Sequence, residues 1–226
     1  SLPDRQYVYS PTKMLNSRSI GIGQPYSVLA WAPERHSSWA PSLSIRRVSS
    51  EQTDVEVGVQ QVRMLCRQRP EEMKKDLYLI VADAKYGNHR FLGPLQKEPC
   101  GVLIRMRRDR VLYSEPGAYS GKGRPRVHGD RFAFKEAETW GEPDEMVELK
   151  DGRWGTVRLR RWDHLHARQD ASTTFCVILV ETHLEREKPS RPFWLAYQPP
   201  PGQEAGDQSL ATLWYAYQHR WPVEMV

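Results

Sequence analysis

The sequence predicts an α/β fold in which a mixed sheet flanked by helices is interrupted by a β-rich insertion. Three observations support this prediction: a helical apolar stripe in residues 50–69, a continuous apolar strand at residues 77–82, and several strand-length segments between residues 132 and 181. With 226 residues, of which 39% are hydrophobic, the chain is long enough for one sizeable core with an appended subdomain.

Three parts are expected along the chain. Residues 1–110 form the first part of the core, residues 111–184 the β-rich insertion, and residues 185–226 the return to the core. In the first part, short strands are predicted at residues 7–9, 26–32 and 42–48. The last two of these form an antiparallel pair, the apolar run 26–32 reads as a buried strand, and residues 11–23 read as a loop.

The helix at residues 50–69 has the best pattern in the chain. Thr53 and Glu56 fit a capping box, in which two side chains satisfy backbone groups at the helix start, and Pro70 ends the helix. Its apolar stripe consists of Val55, Val59, Val62, Leu65 and Cys66.

Asp83 directly follows the apolar run at residues 77–82, which is typical of a central strand covered on both faces. Functional groups in such sheets gather at the carboxyl ends of strands, so Asp83 is a candidate catalytic residue. The alternative is an Asx-type turn that leads into residues 85–88. A short helix at residues 91–97 and a strand at residues 101–105 are expected next.

Positive charge is concentrated in residues 100–135. This segment holds nine basic and three acidic residues, whereas the whole chain has a net charge of +5, so the remainder is slightly acidic. Such a segment indicates a binder of the phosphate backbone, or a solubilising surface stretch. Candidate DNA-binding residues are Arg105 and Arg107, and, in the glycine-rich loop at residues 117–129, Lys122, Arg124 and Arg126. Gly-Arg-Pro-Arg in that loop has the core of a minor-groove hook.

The last predicted helix, at residues 209–226, presents Tyr217, Arg220 and Glu224 on one side. An ordinary amphipathic helix with an Arg220–Glu224 pair is the alternative interpretation. Pro222 lies inside this segment and removes the bond to the Gln218 carbonyl, so it should kink or restart the helix.

Tyr-x2-Arg-x3-Glu in this last segment resembles the signature of DDE-type insertion-sequence transposases. The run Val-Ala-Asp-Ala-Lys-Tyr-Gly-Asn at residues 81–88 and the Gly-Arg-Pro-Arg loop resemble further motifs of that family. The resemblance implies an RNase H-like catalytic core in which three acids hold two Mg²⁺ ions, with Mn²⁺ able to substitute. It also implies DNA transposon ends and target DNA as substrates, a homodimer on DNA, and a place in the prokaryotic cytoplasm with the nucleoid.

By this resemblance, Asp83 is the second catalytic acid and Glu224 the third, and both are metal ligands. Arg220 orients Glu224 or contacts a phosphate, and Tyr217 holds the backbone of a DNA end. The sequence departs from the family in two respects, since no Asp has the context of the first acid and no Lys follows Glu224. We therefore expect the first acid to lie upstream of Ser1, and the chain as given not to be a competent transposase.

Other classes of function remain as alternatives or are disfavoured. An RNase H-like nuclease shares the acids and the metal ions, and a non-catalytic DNA-binding module needs only the basic segment. Cys66, Cys100 and Cys176 suit neither a disulfide framework nor a zinc site, which points to a reducing compartment. His164 and His166 alternate without a third ligand of matching spacing, so no zinc site is expected there. No apolar run reaches membrane-spanning length, and no signal peptide is recognisable.

Overall fold

The computed structural model describes residues 5–9, 20–32, 40–119, 121, 123–183 and 191–220. The chain divides into two compact units. The first comprises the described residues up to Gln68, and the second runs from Arg69 to Arg220. No helix in the described ranges is long and apolar enough to cross a membrane.

The first unit contains two antiparallel strand pairs and one helix. These elements are β1 (Gln6–Tyr9) with β2 (Ile20–Gly23), β3 (Tyr26–Ala30) with β4 (Ser42–Arg47), and α1 (Asp54–Arg67). Strand β2 corrects the prediction of a loop throughout residues 11–23, because β1 supplies its backbone partner. The predicted pairing of residues 26–32 with 42–48 is confirmed, but a buried strand there is wrong: Tyr26 and Val28 are exposed.

Helix α1 begins with the predicted capping box and is joined to β3 and β4 by a buried polar side chain. Thr53 Oγ1 accepts from the Glu56 backbone amide, and the Glu56 carboxylate accepts from the Thr53 amide. Gln61 is 1% exposed. Its Nε2 donates to the backbone carbonyls of Ser27 and Ser44, each at 3.1 Å, and its Oε1 accepts from Ser27 Oγ at 2.6 Å. A buried glutamine needs hydrogen-bond partners for its amide group. The apolar stripe of this helix did not predict that Gln61 is buried.

The second unit is built on one mixed sheet of eight strands in the order β5-β6-β12-β11-β10-β7-β8, with β9 paired to β10. The strands are β5 (Tyr78–Ala82), β6 (Cys100–Met106), β7 (Val111–Tyr113), β8 (Arg131–Ala133), β9 (Glu145–Asp151), β10 (Gly155–Ala167), β11 (Asp170–His183) and β12 (Phe193–Gln198). Strands β5 and β6 are parallel, and the other pairs are antiparallel.

Helices α2 (His89–Leu95) and α3 (Leu210–Gln218) pack on this sheet, α2 against β6 and β11, and α3 against β5 and β9. The predicted mixed α/β class is confirmed, and the order of elements is consistent with an RNase H-like fold. The strands of residues 111–183 do not form a detached layer, because β12 pairs with β6 on one side and β11 on the other. Strand β5 stands at the end of the described sheet and is not a central strand there, which corrects the sequence-based expectation.

Helix α3 places its apolar face in the main core. Leu210, Leu213, Trp214 and Tyr217 are buried there with Leu103 and other core residues. The predicted helix at residues 209–226 is shorter in the structure, since α3 ends at Gln218 and Arg220 follows it in a turn. Pro222 has no amide hydrogen for the Gln218 carbonyl, which fits an end at this point. The predicted kink itself lies outside the described residues.

Asp151, at the end of β9, fastens α3 to the β9–β10 hairpin. Its Oδ1 accepts from the backbone amides of Arg153 and Trp154 at 2.9 and 3.0 Å. Its Oδ2 accepts from Trp214 Nε1 at 3.1 Å and from Gln218 Nε2 at 2.9 Å. Burial alone raises the pKa of this carboxyl, but these four hydrogen bonds outweigh it and hold the pKa below its ordinary value.

We expect Asp151→Asn to lower the free energy of unfolding by about 1–2 kcal/mol, because an amide cannot accept on both sides and its NH₂ group would face two donors. Urea unfolding measures this change. Glu148→Gln is the control. Glu148 lies on the same strand as Asp151, and its substitution removes only an exposed ion pair with Arg158, so stability should change little. Equal effects of the two substitutions would contradict the role of Asp151.

Candidate active site

Asp83 lies in the tight turn that follows β5. Its Oδ1 accepts from the Lys85 backbone amide at 2.8 Å, and its backbone carbonyl accepts from the Tyr86 amide at 3.2 Å. The Asx-type turn considered from the sequence is therefore present. The side chain is nevertheless exposed, so the turn orients the carboxylate without burying it. An oriented, solvent-facing carboxylate at the carboxyl end of a strand is suited to ligand binding.

The parallel pairing of β5 with β6 sets Asp83 beside Arg105. The last paired residues are Ala82 and Ile104, so the next residue of each strand lies at the same edge of the sheet. The turn packs closely here, because a Cβ at Gly87 would lie 2.6 Å from the Arg105 carbonyl oxygen. Only glycine fits such a close backbone approach without displacement. The close packing of this turn therefore explains why a glycine stands at position 87.

A groove of about 660 Å³ is lined at this edge by Ala84, the residue after Asp83, and we name it the Asp83 groove. The described residues that line it include five basic side chains, one acidic side chain, and aromatic and aliphatic groups. Its lining consists of Ala84, Arg105, Met106, Arg107, Arg108, Asp109, Lys135, Arg191, Pro192 and Phe193. A concave surface with this excess of positive charge attracts polyanions.

Two of these residues, Arg105 and Arg107, were predicted from the sequence to bind DNA. Arg107 Nη2 lies 2.9 Å from Asp109 Oδ2, so part of its charge is neutralised within the groove. Desolvation alone raises the pKa of Asp109, but the hydrogen bond and the charge of Arg107 hold this pKa below its ordinary value. Arg105 and Arg108 are both exposed.

Phe193 connects the Asp83 groove to α3. The guanidinium of Arg105 lies over the Phe193 ring, 4.9 Å from its centroid, and the Tyr217 ring packs on Phe193 at 5.6 Å. Arg220 in turn lies over the Tyr217 ring at 5.2 Å, and its Nη2 donates to the Tyr217 hydroxyl at 3.4 Å. The structure therefore brings Tyr217 and Arg220 together and joins them through Phe193 to Arg105.

The other predicted site residues are not part of this arrangement. Arg124 and Arg126 are exposed on the loop after β7 and do not line the Asp83 groove. Lys122 and Glu224 lie outside the described residues, so the predicted meeting of Asp83 with Glu224 stays a prediction. Across the described ranges, no group of three or more His, Cys, Asp or Glu side chains is arranged to hold a metal ion.

Three basic groove residues were missed as site residues. Arg108 and Lys135 belong to the basic segment, so charge clustering was a signal for them. Arg191 had no such signal, because only the pairing of β12 with β6 brings residues 191–193 beside the end of β6. Phe193 was also missed, because its contacts with the Arg105 guanidinium and the Tyr217 ring are tertiary.

A histidine pair fixes the end of the arginine-containing loop. His128 Nδ1 and His166 Nε2 are 2.8 Å apart, and the two rings stack with centroids 5.1 Å apart. His166 is 1% exposed. Burial is the main reason why its pKa lies below the ordinary value, His128 lowers it further, and Glu115 and Asp170 act in the opposite direction. The sequence had suggested His164 as the neighbour of interest, but the partner of His166 is His128.

We expect His166 to make stability pH-dependent as the pH falls below about 6.5. In the unfolded chain, the pKa of His166 is about 6.5, which is above its value in the folded protein. The stabilisation is therefore complete above that pH and is lost as the pH falls below it. Unfolding by urea at a series of pH values measures this. His166→Gln should flatten the dependence in this range, whereas His183→Gln, at an exposed histidine of β11, should leave it unchanged. A slope that persists in His166→Gln would contradict this assignment.

A comparison with known protein families gives one match. Residues 1–168 match the family of DDE superfamily endonucleases. This range includes Asp83, Arg105, Arg107 and the histidine pair, and ends before Tyr217. No curated protein matches the chain. Because the match covers most of the 226 residues, the chain belongs to the DDE superfamily endonuclease family.

Proposed function

We propose that this chain is part of a DNA transposase, and that the intact enzyme cleaves and joins DNA strands with two bound Mg²⁺ ions, for which Mn²⁺ substitutes. Asp83 and Glu224 are the proposed metal ligands. Membership of the endonuclease family supports a phosphoryl-transfer enzyme acting on DNA. The observation that carries the proposal is the position of Asp83, an exposed carboxylate directly before Ala84, which lines a groove with four arginines and a lysine.

The chemistry of Asp83 fits a magnesium ligand. Mg²⁺ prefers hard oxygen donors and usually keeps several waters, so it requires few protein carboxylates. The Lys85 backbone amide donates a hydrogen bond to Oδ1 of Asp83 and thereby restricts the rotation of the carboxylate. The residue nevertheless stays exposed to solvent. When bound, such ions activate the attacking hydroxyl group and stabilise the leaving oxygen.

The side chains of the Asp83 groove would hold the DNA backbone in line with that carboxylate. Arg105, Arg108 and Arg191 supply guanidinium groups, which match phosphate oxygens in charge and in geometry. Arg105 keeps its place by lying over Phe193. Catalysis of phosphoryl transfer depends mainly on such positioning and on charge stabilisation.

Tyr217 and Arg220 are proposed to contact a DNA end, with Arg220 also orienting Glu224. Tyr217 is only 5% exposed, so its ring supports Arg220 from below, while Arg220 itself is partly exposed. In the loop after β7, Arg124, Arg126 and Lys122 are proposed to contact DNA outside the Asp83 groove. The joining of two transposon ends requires both to be present at once, and a homodimer acting at the nucleoid is part of the proposal.

We expect Asp83→Asn to weaken Mn²⁺ binding by about tenfold or more, because the amide removes a negatively charged ligand. Titration monitored by electron paramagnetic resonance measures the affinity. Asp76→Asn is the matched control, since Asp76 is exposed and lies before the same strand, at its opposite end. If both variants bind Mn²⁺ as the parent protein does, Asp83 is not a metal ligand.

We expect Arg105→Gln together with Arg108→Gln to weaken binding of duplex DNA and to reduce the salt slope of log K by about 2, roughly one for each phosphate that the variant no longer neutralises. Fluorescence anisotropy at several salt concentrations measures both quantities. The control removes two exposed charges from the β9–β10 hairpin, Lys150→Gln and Arg158→Gln. An unchanged slope in the groove variant would refute DNA binding in the Asp83 groove.

Strand transfer distinguishes the transposase from a nuclease of the same fold. With paired DNA ends, a transposase joins the cut ends to target DNA, and joined products appear on a gel. A nuclease yields cut products alone, and that outcome would favour the alternative.

A further inference from the structure

A second basic surface lies on α1, in the first unit of the chain. A groove of about 400 Å³ runs between this helix and β4, and we name it the α1 groove. The described residues that line it are three arginines, two glutamines and one methionine, with no acidic residue among them: Arg46, Gln60, Arg63, Met64, Arg67 and Gln68. None of these residues belongs to the Asp83 groove or to the basic segment at residues 100–135.

The lining residues share one face of α1 because of their spacing. Positions 60, 63, 64, 67 and 68 follow the helical repeat of three and four residues, while Val59, Val62 and Cys66 are buried on the other side. The acidic residues of α1, Asp54 and Glu56, lie in the first turn, and Glu56 belongs to the capping box. The helix is therefore divided into an acidic start and a basic second half.

The charge of the α1 groove is not explained by helix capping alone. A cation in the last turn stabilises a helix through its dipole, and this accounts for Arg67. It does not account for Arg46, which belongs to β4. Arg46 Nη1 donates to Gln60 Oε1 at 3.0 Å, so this guanidinium is held at the wall of the groove.

We propose that the α1 groove binds the phosphate backbone of duplex DNA, at a position separate from the Asp83 groove. Arginine and glutamine side chains donate hydrogen bonds to phosphate oxygens, and they read no base sequence in doing so. Met64, which is 38% exposed between the arginines, offers an apolar contact to a sugar. The proposal rests on DNA as the substrate of the proposed function, and it does not depend on cleavage or on metal binding.

The test compares two triple variants of the full chain in binding a 40-base-pair duplex, without divalent cations. Arg46→Gln, Arg63→Gln and Arg67→Gln remove the charges of the α1 groove. Lys150→Gln, Arg153→Gln and Arg158→Gln remove three charges from exposed positions of the β9–β10 hairpin. We expect the α1 groove variant to bind at least about tenfold more weakly and to show a salt slope smaller by about 2 to 3, since each neutralised phosphate contributes about 0.9. The hairpin variant should change both quantities little.

A second variant separates loss of charge from loss of structure. Arg63→Lys with Arg67→Lys keeps both charges and the helix propensity, so most of the affinity should remain. Thermal unfolding of all variants verifies that α1 is intact. Because no divalent cation is present, failure of the Asp83 assignment would not alter these results.

Three outcomes would overturn the proposal. Equal losses in the two triple variants would show a general effect of net charge, and an unchanged salt slope in the α1 groove variant would show that no phosphate is bound there. Competition by polyglutamate as effective as that by DNA, at equal charge and ionic strength, would identify a surface for acidic proteins. The proposal would be supported if the α1 groove variant loses affinity for DNA, the hairpin variant does not, and the lysine variant retains most of its affinity.

Discussion

The parallel pairing of β5 with β6 is the interaction on which the candidate active site depends. Parallel neighbours end at the same edge of a sheet, so this pairing places Asp83 next to Arg105 although the two are 22 positions apart in the sequence. The intervening turn fits only because Gly87 allows its backbone to approach the Arg105 carbonyl. A carboxylate and a guanidinium thus project from adjacent strand ends, each on rigid backbone.

Aromatic packing extends this edge toward α3. Phe193 begins β12, the strand next to β6, and its ring contacts both Arg105 and Tyr217. Asp151 holds α3 from the other direction, through Trp214 and Gln218. Strand β12 and the Asp151 carboxylate, which come from different parts of the chain, therefore both position α3.

The electrostatics of the second unit follow from the same arrangement. Four arginines and a lysine line one groove, and Asp109, the single acid among its described lining residues, is paired with Arg107. The excess of positive charge is therefore local, in a protein whose net charge is only +5. A local excess of positive charge next to an exposed carboxylate suits a polyanionic ligand, because the arginines offset the repulsion between that ligand and the carboxylate.

Local patterns in the sequence determined the elements and several candidate residues. The capping box of α1, the strand before Asp83, the short helix α2 and the strands of the insertion were predictable, because each is encoded within a few neighbouring residues. The basic segment likewise indicated Arg105 and Arg107. Clustering of charge along a chain survives folding when the residues lie on one strand and the turn after it.

Only the tertiary structure decided which distant residues meet. Arg191 and Phe193 join the groove because β12 pairs with β6, and His128 meets His166 because the loop after β7 returns to β10. Gln61 is buried because Ser27 and Ser44 satisfy its amide. Such contacts arise from strand pairing and from the need of buried polar groups for partners, and neither is encoded in the periodicity of a single segment.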